Sequence, residues 1–220
     1  MNIKQEQIIA KQAGFYSKKI LHIYDMLVLG ILNHSIWKCP TRFIVNHYNT
    51  HISSNHLDVG VGTGYFLDRC RFPIKTPRIG LMDLNQAPLD FVQQRISHYQ
   101  PETYKHNVLS PVNHKIRKFD SVGLNYLLHC IPGTIESKAV VFDHLKTLVK
   151  PNGILFGSTL LQDGVPRTLF AKHLMTVYNE KGIFSNRADH LTGLIKELTK
   201  RFNDISIEVV GCAVLFTARV

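Results

Sequence analysis

The sequence predicts an α/β fold, a single domain on a mostly parallel sheet, and three features of the chain carry that expectation. From His56 onward, short apolar runs ending in Gly, Asp or Asn alternate with longer segments of mixed polarity, the pattern of repeated strand–helix units. Two helical stretches precede the first of these units. Two runs rich in Val and Ile, joined only by Gly211 and Cys212, close the chain at the spacing of an antiparallel pair.

Taken in order, Ile20, Ile23, Tyr24, Leu27 and Ile31 recur at helical spacing over Ser17 to about Asn33, and a second helix is expected from Thr41 to about His51, just after Pro40. Residues 1–55 are thus expected to form a helical cap. Strands are expected near 56–60, 78–83, 103–107, 119–125 and 152–158, with helices over Tyr65 to Arg71, Ala87 to His98 and Ile135 to Leu148. Lys150-Pro151-Asn152-Gly153 ends the last of these helices, because Pro cannot continue one and Gly accepts a left-handed turn. These elements make a core over residues 56–160. Residues 161–203 read as a helical lid whose two helices are separated by Gly182 and Asn186, and residues 204–220 as a closing hairpin. No repeat, low-complexity tract or flexible linker divides the 220 residues, so one domain is expected.

Composition excludes several classes. A 45% hydrophobic content supports a buried core and rules out collagen-like, mucin-like and disordered chains. The 26 Lys plus Arg exceed the 16 Asp plus Glu, a formal charge of +10 that invites an anionic partner, yet the basic residues are scattered and a solvated basic surface explains them as well. Cys39, Cys70, Cys130 and Cys212 stand alone, with no spacing that makes a zinc site, so no metal and four free thiols are expected. The amino-terminal stretch MNIKQEQIIAKQAGF lacks the apolar run of a secretory signal, and Met26 to Leu32 is too short to cross a bilayer, which points to a cytoplasmic protein.

The informative segment is His56-Leu-Asp-Val-Gly60-Val-Gly62-Thr-Gly64-Tyr-Phe66. A strand that runs into glycines at every second position lets the chain turn sharply and lets a ligand approach the backbone. A dinucleotide fingerprint needs its third Gly where Tyr65 stands, and Asp58 would repel phosphates but suit an amine or a sulfonium. Arg78-Ile-Gly-Leu-Met-Asp83 ends 23 residues after Gly60, near the spacing at which a carboxylate meets ribose hydroxyls, and Leu84 would lie against a purine. Asp83 could equally cap the following helix.

With LDVGVGTG (Leu57 to Gly64), LMDLN (Leu81 to Asn85), FDSVGLNYLLHCI (Phe119 to Ile131) and LVKPNGILF (Leu148 to Phe156) in this order, the chain resembles the class I S-adenosylmethionine-dependent methyltransferases. The resemblance implies a Rossmann-like, seven-stranded, mostly parallel sheet with an antiparallel last strand, and S-adenosyl-L-methionine as cofactor. It implies further that Gly60, Gly62 and Gly64 bring backbone to the methionine moiety, that Asp58 holds its ammonium, and that Asp83 accepts from the ribose hydroxyls. Asn107 would take the place of the usual adenine-binding acid, with Val108 offering its N–H, and Asn125 would line the methionine end.

Methyl transfer from a sulfonium is an in-line displacement that rests on alignment and exclusion of water, and a base helps only where the acceptor must lose a proton. His129, just past the fourth strand, is the candidate base, and fixing a turn through the backbone is its alternative role. Tyr24, Tyr126 and Tyr178 are candidate acceptor-binding residues. Aromatic residues of the cap (Tyr16, Tyr24, Trp37, Phe43) and of the lid (Phe170, Tyr178, Phe184, with Met175) would close an apolar acceptor pocket, if they are not simply core. Asn125-Tyr126-Leu127-Leu128 departs from the Asn/Asp-Pro-Pro-aromatic sequence of enzymes that methylate exocyclic or amide nitrogen, and no separate RNA-binding module is visible. A small-molecule acceptor is therefore expected, with an RNA- or protein-directed enzyme and a non-catalytic cofactor binder as alternatives.

Overall fold

The computed structural model describes residues 25–220, with side chains from Leu29 onward. Tyr16, Tyr24 and the first part of the expected cap helix lie outside the described residues. The described part of the cap starts with a wide, π-type helical segment, Asp25–Ile36. Its last turn closes through Trp37 N–H donating to Leu32 O at 2.9 Å. This winding takes more residues per turn than an α-helix, which corrects the expected face: Leu29 and Asn33 are buried, whereas Ile31 is 53% exposed. Helix α1, Thr41–His51, follows as expected and buries Ile44 and Tyr48.

The sheet has seven strands: β1 Asn55–Val59, β2 Arg78–Asp83, β3 Glu102–Lys105, β4 Phe119–Asn125, β5 Val149–Leu160, β6 Asp204–Val210 and β7 Ala213–Arg219. Their order across the sheet is β3-β2-β1-β4-β5-β7-β6. Strands β1 to β5 pair in parallel, and β7 inserts antiparallel between β5 and β6. The chain moves outward from β1 through β2 to β3 and then returns to the other side of β1 with β4. That reversal opens a crevice at the carboxyl ends of β1 and β4, where open α/β sheets bind ligands.

Helices α2 (Tyr65–Arg69), α3 (Gln86–Arg95), α4 (Ile135–Lys138), α5 (Val140–Lys146), α6 (Leu169–Glu180) and α7 (Leu191–Thr199) complete the fold. One apolar cluster packs Leu57, Val122 and Leu155 against Phe142, Leu145, Leu194 and Leu198. A second joins Tyr48, Leu67, Leu89 and Val92 to Ile79, Leu81 and Phe156, so the sheet is covered on both faces. A third ties Trp37, Cys39 and Ile44 of the cap to Met175 and Phe184 of the lid and to Cys212, Ala213 and Leu215.

Several boundaries differ from the expectation: α2 and α3 end at Arg69 and Arg95, short of the expected Arg71 and His98. The helix foreseen over Ile135 to Leu148 is two short ones, α4 and α5, meeting at Ala139. The stop at Lys150 to Gly153 lies inside β5 as an irregularity: Val149 pairs with Phe119 and Ile154 with Ser121, and Asn152 takes the left-handed φ of 64° that lets the chain bulge there. Strand β3 ends at Lys105, which leaves Asn107 in the loop beyond it.

Candidate active site

A cavity of about 370 Å³ opens at the carboxyl ends of β1, β2 and β4, between cap and lid. Its polar end begins at the glycine loop. Gly60, Gly62 and Gly64 have φ of 70°, 52° and 71°, the left-handed region that an L side chain resists. Their roles differ. A Cβ on Gly60 would lie 2.7 Å from Leu127 Cδ1, and one on Gly64 2.7 Å from Val92 Cγ1, so these two are bare because neighbouring side chains crowd them. A Cβ on Gly62 would meet nothing within 4 Å. Gly60 and Gly62 line the cavity. Gly64, expected at the ligand, instead starts α2 and lets it pack on α3.

Asp83 closes β2 at the cavity wall. Its Oδ1 accepts from Asn85 N–H at 2.9 Å, and the N–H groups of Val61 and Leu84 also favour its charged form. Burial outweighs them and, helped by the nearby Asp58 charge, pushes the carboxyl up to about 6. Asn85, not Asp83, stands at the start of α3, so Asp83 is not that helix's cap. Asp58 is buried at the other wall of the loop, its Oδ1 accepting from the Tyr48 hydroxyl at 3.1 Å.

Leu84, Asn107, Val108 and Asn125 line the same cavity. Asn107 Oδ1 accepts from Leu109 N–H at 3.0 Å, which orients the side chain. Asn125 Oδ1 accepts from Ser158 Oγ at 3.0 Å, and its Nδ2 is buried with no partner. A buried donor left open beside a cavity marks a place for a ligand's acceptor.

At the other end, rings meet edge to face. Tyr126 and His129 have centroids 5.4 Å apart, His129 and Phe184 4.6 Å, Phe184 and Tyr178 5.0 Å, and Tyr178 and Trp37 6.3 Å. Leu29, Leu32, Ile183 and Lys181 complete this wall. Tyr126 holds a φ of 56°, a strained conformation for a bulky residue, fixed by its N–H to Ser158 O at 2.8 Å and its hydroxyl to Asn33 Oδ1 at 3.0 Å. Phe43 lies elsewhere, in a surface groove with His47 and Glu208, Phe170 is exposed, and Met175 is core.

His129 reaches the cavity but not as a free base. Its Nδ1 accepts from Leu160 N–H at 3.2 Å, which leaves the ring proton on Nε2, and burial together with the Lys138 charge pulls its pKa down to about 3. An imidazole held this way donates at Nε2, in place of the proton acceptor expected from its position. Its own carbonyl accepts from Ser185 N–H at 2.7 Å, tying the turn after β4 to the lid.

The family described as "Methyltransferase domain" matches residues 57–155. Demethylluteothin O-methyltransferase of Streptomyces thioluteus is 38% identical over 213 residues, 97% of this chain and 92% of that protein. The chain belongs to the class I S-adenosylmethionine-dependent methyltransferases. The physcion biosynthesis cluster O-methyltransferase of Aspergillus chevalieri is 35% identical over 207 residues, 93% of each chain. In fold, this methyltransferase is similar to the solved DhpI–SAH complex, with a TM-score of 0.68 at 15% identity, covering 98% of this chain and 97% of that one.

The residues present fit S-adenosylmethionine, the family's cofactor. Gly62 leaves open the space a Cβ would fill, Asn125 Nδ2 lacks an acceptor, and carboxylates flank the loop at Asp58 and Asp83. Among the described residues no three His, Cys, Asp or Glu side chains form a metal site, and no helix is long and apolar enough to cross a membrane.

Proposed function

We propose that this methyltransferase methylates a hydroxyl oxygen of a flat, largely apolar small molecule held between cap and lid. The observation that carries the proposal is the continuous aromatic wall of Trp37, Tyr126, Tyr178 and Phe184 around His129. Such edges suit a conjugated ring, and relatives that span nearly the whole chain are O-methyltransferases of small molecules.

When bound, the cofactor's sulfonium supplies an electrophilic methyl carbon. Asp83 would hold the ribose hydroxyls, Asp58 the ammonium, and Asn125 Nδ2 an acceptor at the methionine end, while Leu84, Asn107 and Val108 would frame the adenine. Gly62 keeps the backbone close to the ligand, with Gly60 shaping the turn. With its proton on Nε2, His129 would orient the acceptor oxygen by donating to it and would favour its ionised form, the hydroxyl's own proton having passed to solvent water before transfer. Tyr126 and Tyr178 set the plane of the acceptor. Rate then comes from alignment of oxygen and methyl and from exclusion of water by the apolar wall.

The +10 charge is the feature that favours a nucleic-acid acceptor, and binding that rests on phosphate neutralisation falls steeply with salt. Nucleic-acid binding is accordingly expected to vanish near physiological salt. The test is incubation with methyl-labelled S-adenosylmethionine and a panel of phenols, enols, aromatic amines and tRNA, with products identified by mass and NMR. Label in O-methyl groups of the ring hydroxyls supports the proposal. Label on nitrogen, on carbon or only on RNA defeats it.

A further inference from the structure

A string of buried polar groups leads from the cavity wall into the centre of the molecule. The Tyr48 hydroxyl lies 3.1 Å from Asp58 Oδ1 and 2.9 Å from His56 Nε2. His56 Nδ1 lies 2.8 Å from Ser121 Oγ, which accepts from the Ser53 backbone N–H at 3.0 Å. Tyr48, His56 and Ser121 are fully buried. Polar side chains in a core are costly unless each is satisfied, and a joined set polarises along its length.

The carboxylate end fixes the direction of the string, because at the other end Ser121 Oγ also lies 2.8 Å from Ser53 Oγ and either hydroxyl can donate there. A backbone N–H only donates and an ionised carboxylate only accepts. The arrangement that serves both has Ser121 Oγ–H donating to His56 Nδ1, His56 Nε2–H to the Tyr48 oxygen, and the Tyr48 hydroxyl to Asp58 Oδ1. Burial and the Asp58 charge hold the Tyr48 hydroxyl well above its ordinary range, so it keeps the proton it donates.

We propose that Tyr48 and His56 are positioning residues for the cofactor's ammonium: they hold one oxygen of Asp58 from behind and so present the other to the cavity. Tyr48 stands on α1, so a cap residue that does not line the cavity would set the affinity for the amino-acid end of the cofactor. The inference rests on the assignment of Asp58 to the ammonium.

Tyr48→Phe removes the hydroxyl and keeps the ring, which stacks on Phe66 at 5.8 Å and meets Phe156 edge-on at 5.3 Å. The test compares two probes by calorimetry: S-adenosylhomocysteine, which carries the ammonium, and 5′-methylthioadenosine, which lacks the amino-acid end. The variant is expected to lose about 10- to 150-fold in affinity for the first, the worth of one hydrogen bond to a charged group, and less than about twofold for the second. Equal loss on both probes, or loss on neither, overturns the proposal. Failure of the wild-type protein to bind either probe would refute the cofactor site itself. Should the variant fail to fold, nitrogen-15 NMR of the wild-type imidazole decides. A proton on His56 Nε2 supports the string, whereas one on Nδ1 means that Tyr48 gives its proton to His56, and Asp58 goes unheld.

Discussion

At the polar end of the cavity, the lining comes from consecutive residues of short loops, Gly60 to Thr63 and Asp83 to Asn85, whereas at the aromatic end Leu29, Trp37, Tyr126, Tyr178 and Phe184 arrive from the cap, the β4 exit and the lid. The first end depends on backbone conformation and fixed carboxylates, and its geometry follows from where two adjacent strands stop. The second depends on packing among distant segments, so its shape responds to whatever holds cap and lid in place. A substitution in the loops should therefore change binding with little loss of stability, and one in the lid's supports should do the reverse.

The largest expected effect tests the lid. Lys138 Nζ lies 2.6 Å from Asp189 Oδ2 with both side chains fully buried, and it also donates to Ser185 O at 2.6 Å. Burial nevertheless pushes Asp189 up to about 6 and lowers Lys138. Lys138→Met strands the carboxylate and should cost about 3–5 kcal/mol in chemical denaturation, while Lys138→Met with Asp189→Leu should recover most of it. A loss below about 1 kcal/mol in the single variant would mean that the lid does not hang on this pair.

Next in size, Asp83→Ala should weaken S-adenosylhomocysteine binding by about 2–4 kcal/mol, because on the proposed assignment two ribose hydroxyls would lose a charged acceptor, with the melting temperature of the free protein not lowered. Unchanged calorimetric affinity would reduce Asp83 to a loop fastener. The same carboxyl supplies a pH test. Only its ionised form accepts from both hydroxyls, so affinity should rise from pH 5 to 7, by at most about tenfold per pH unit below its value near 6. Stability has the opposite sign. The folded protein keeps a proton that the unfolded chain releases between about 3.8 and 6, so this group makes the free protein less stable as pH rises through that window. Asp83→Asn should flatten both slopes.

The smallest effect concerns the acceptor end. If His129 donates and does not act as base, His129→Gln should lower turnover by less than about tenfold without moving the pH profile, against the roughly 10²–10⁴-fold expected for removing a base. A drop in that larger range, with a lost pH limb, would restore the base role. Acid stability gives an independent check. The pKa near 3 in the folded state means that wild type loses stability as pH falls below 6.5, and His129→Gln should lose less.

The same contrast explains what could be read in the sequence. Strand ends, the glycine loop and Asp83 follow from local rules, and the alternation of apolar runs placed all five core strands within a few residues, apart from the longer start of β5. Spacing alone groups Gly64 with the ligand, because it cannot distinguish a glycine facing a cavity from one pressed against Val92. The exposure of Ile31 was hidden because a π-type winding leaves no mark in an apolar pattern read at α-helical period. Trp37 and Phe184 were visible as aromatic residues, but only tertiary packing distinguishes them from Phe43 and Phe170, which do not line the cavity. His129 was found from its place after β4, yet its tautomer depends on Leu160 N–H, a partner that no local pattern reveals.

The turn at Gly211 and Cys212 bears on how the molecule is made. Cys212 N–H donates to Trp37 O at 2.7 Å, and a Cβ on Gly211 would lie 2.3 Å from that same oxygen, so the hairpin tip sits flush against the exit of the cap. Almost the whole chain separates these contacting residues, and contacts of such range form late because loop closure must precede them. During synthesis the loops around Gly62 and Asp83 can take shape while Trp37 still waits for a hairpin that has not left the ribosome. A chain cut short before β7 would lack the hydrogen bond from Cys212 N–H to Trp37 O, and with it the seat for one wall of the cavity.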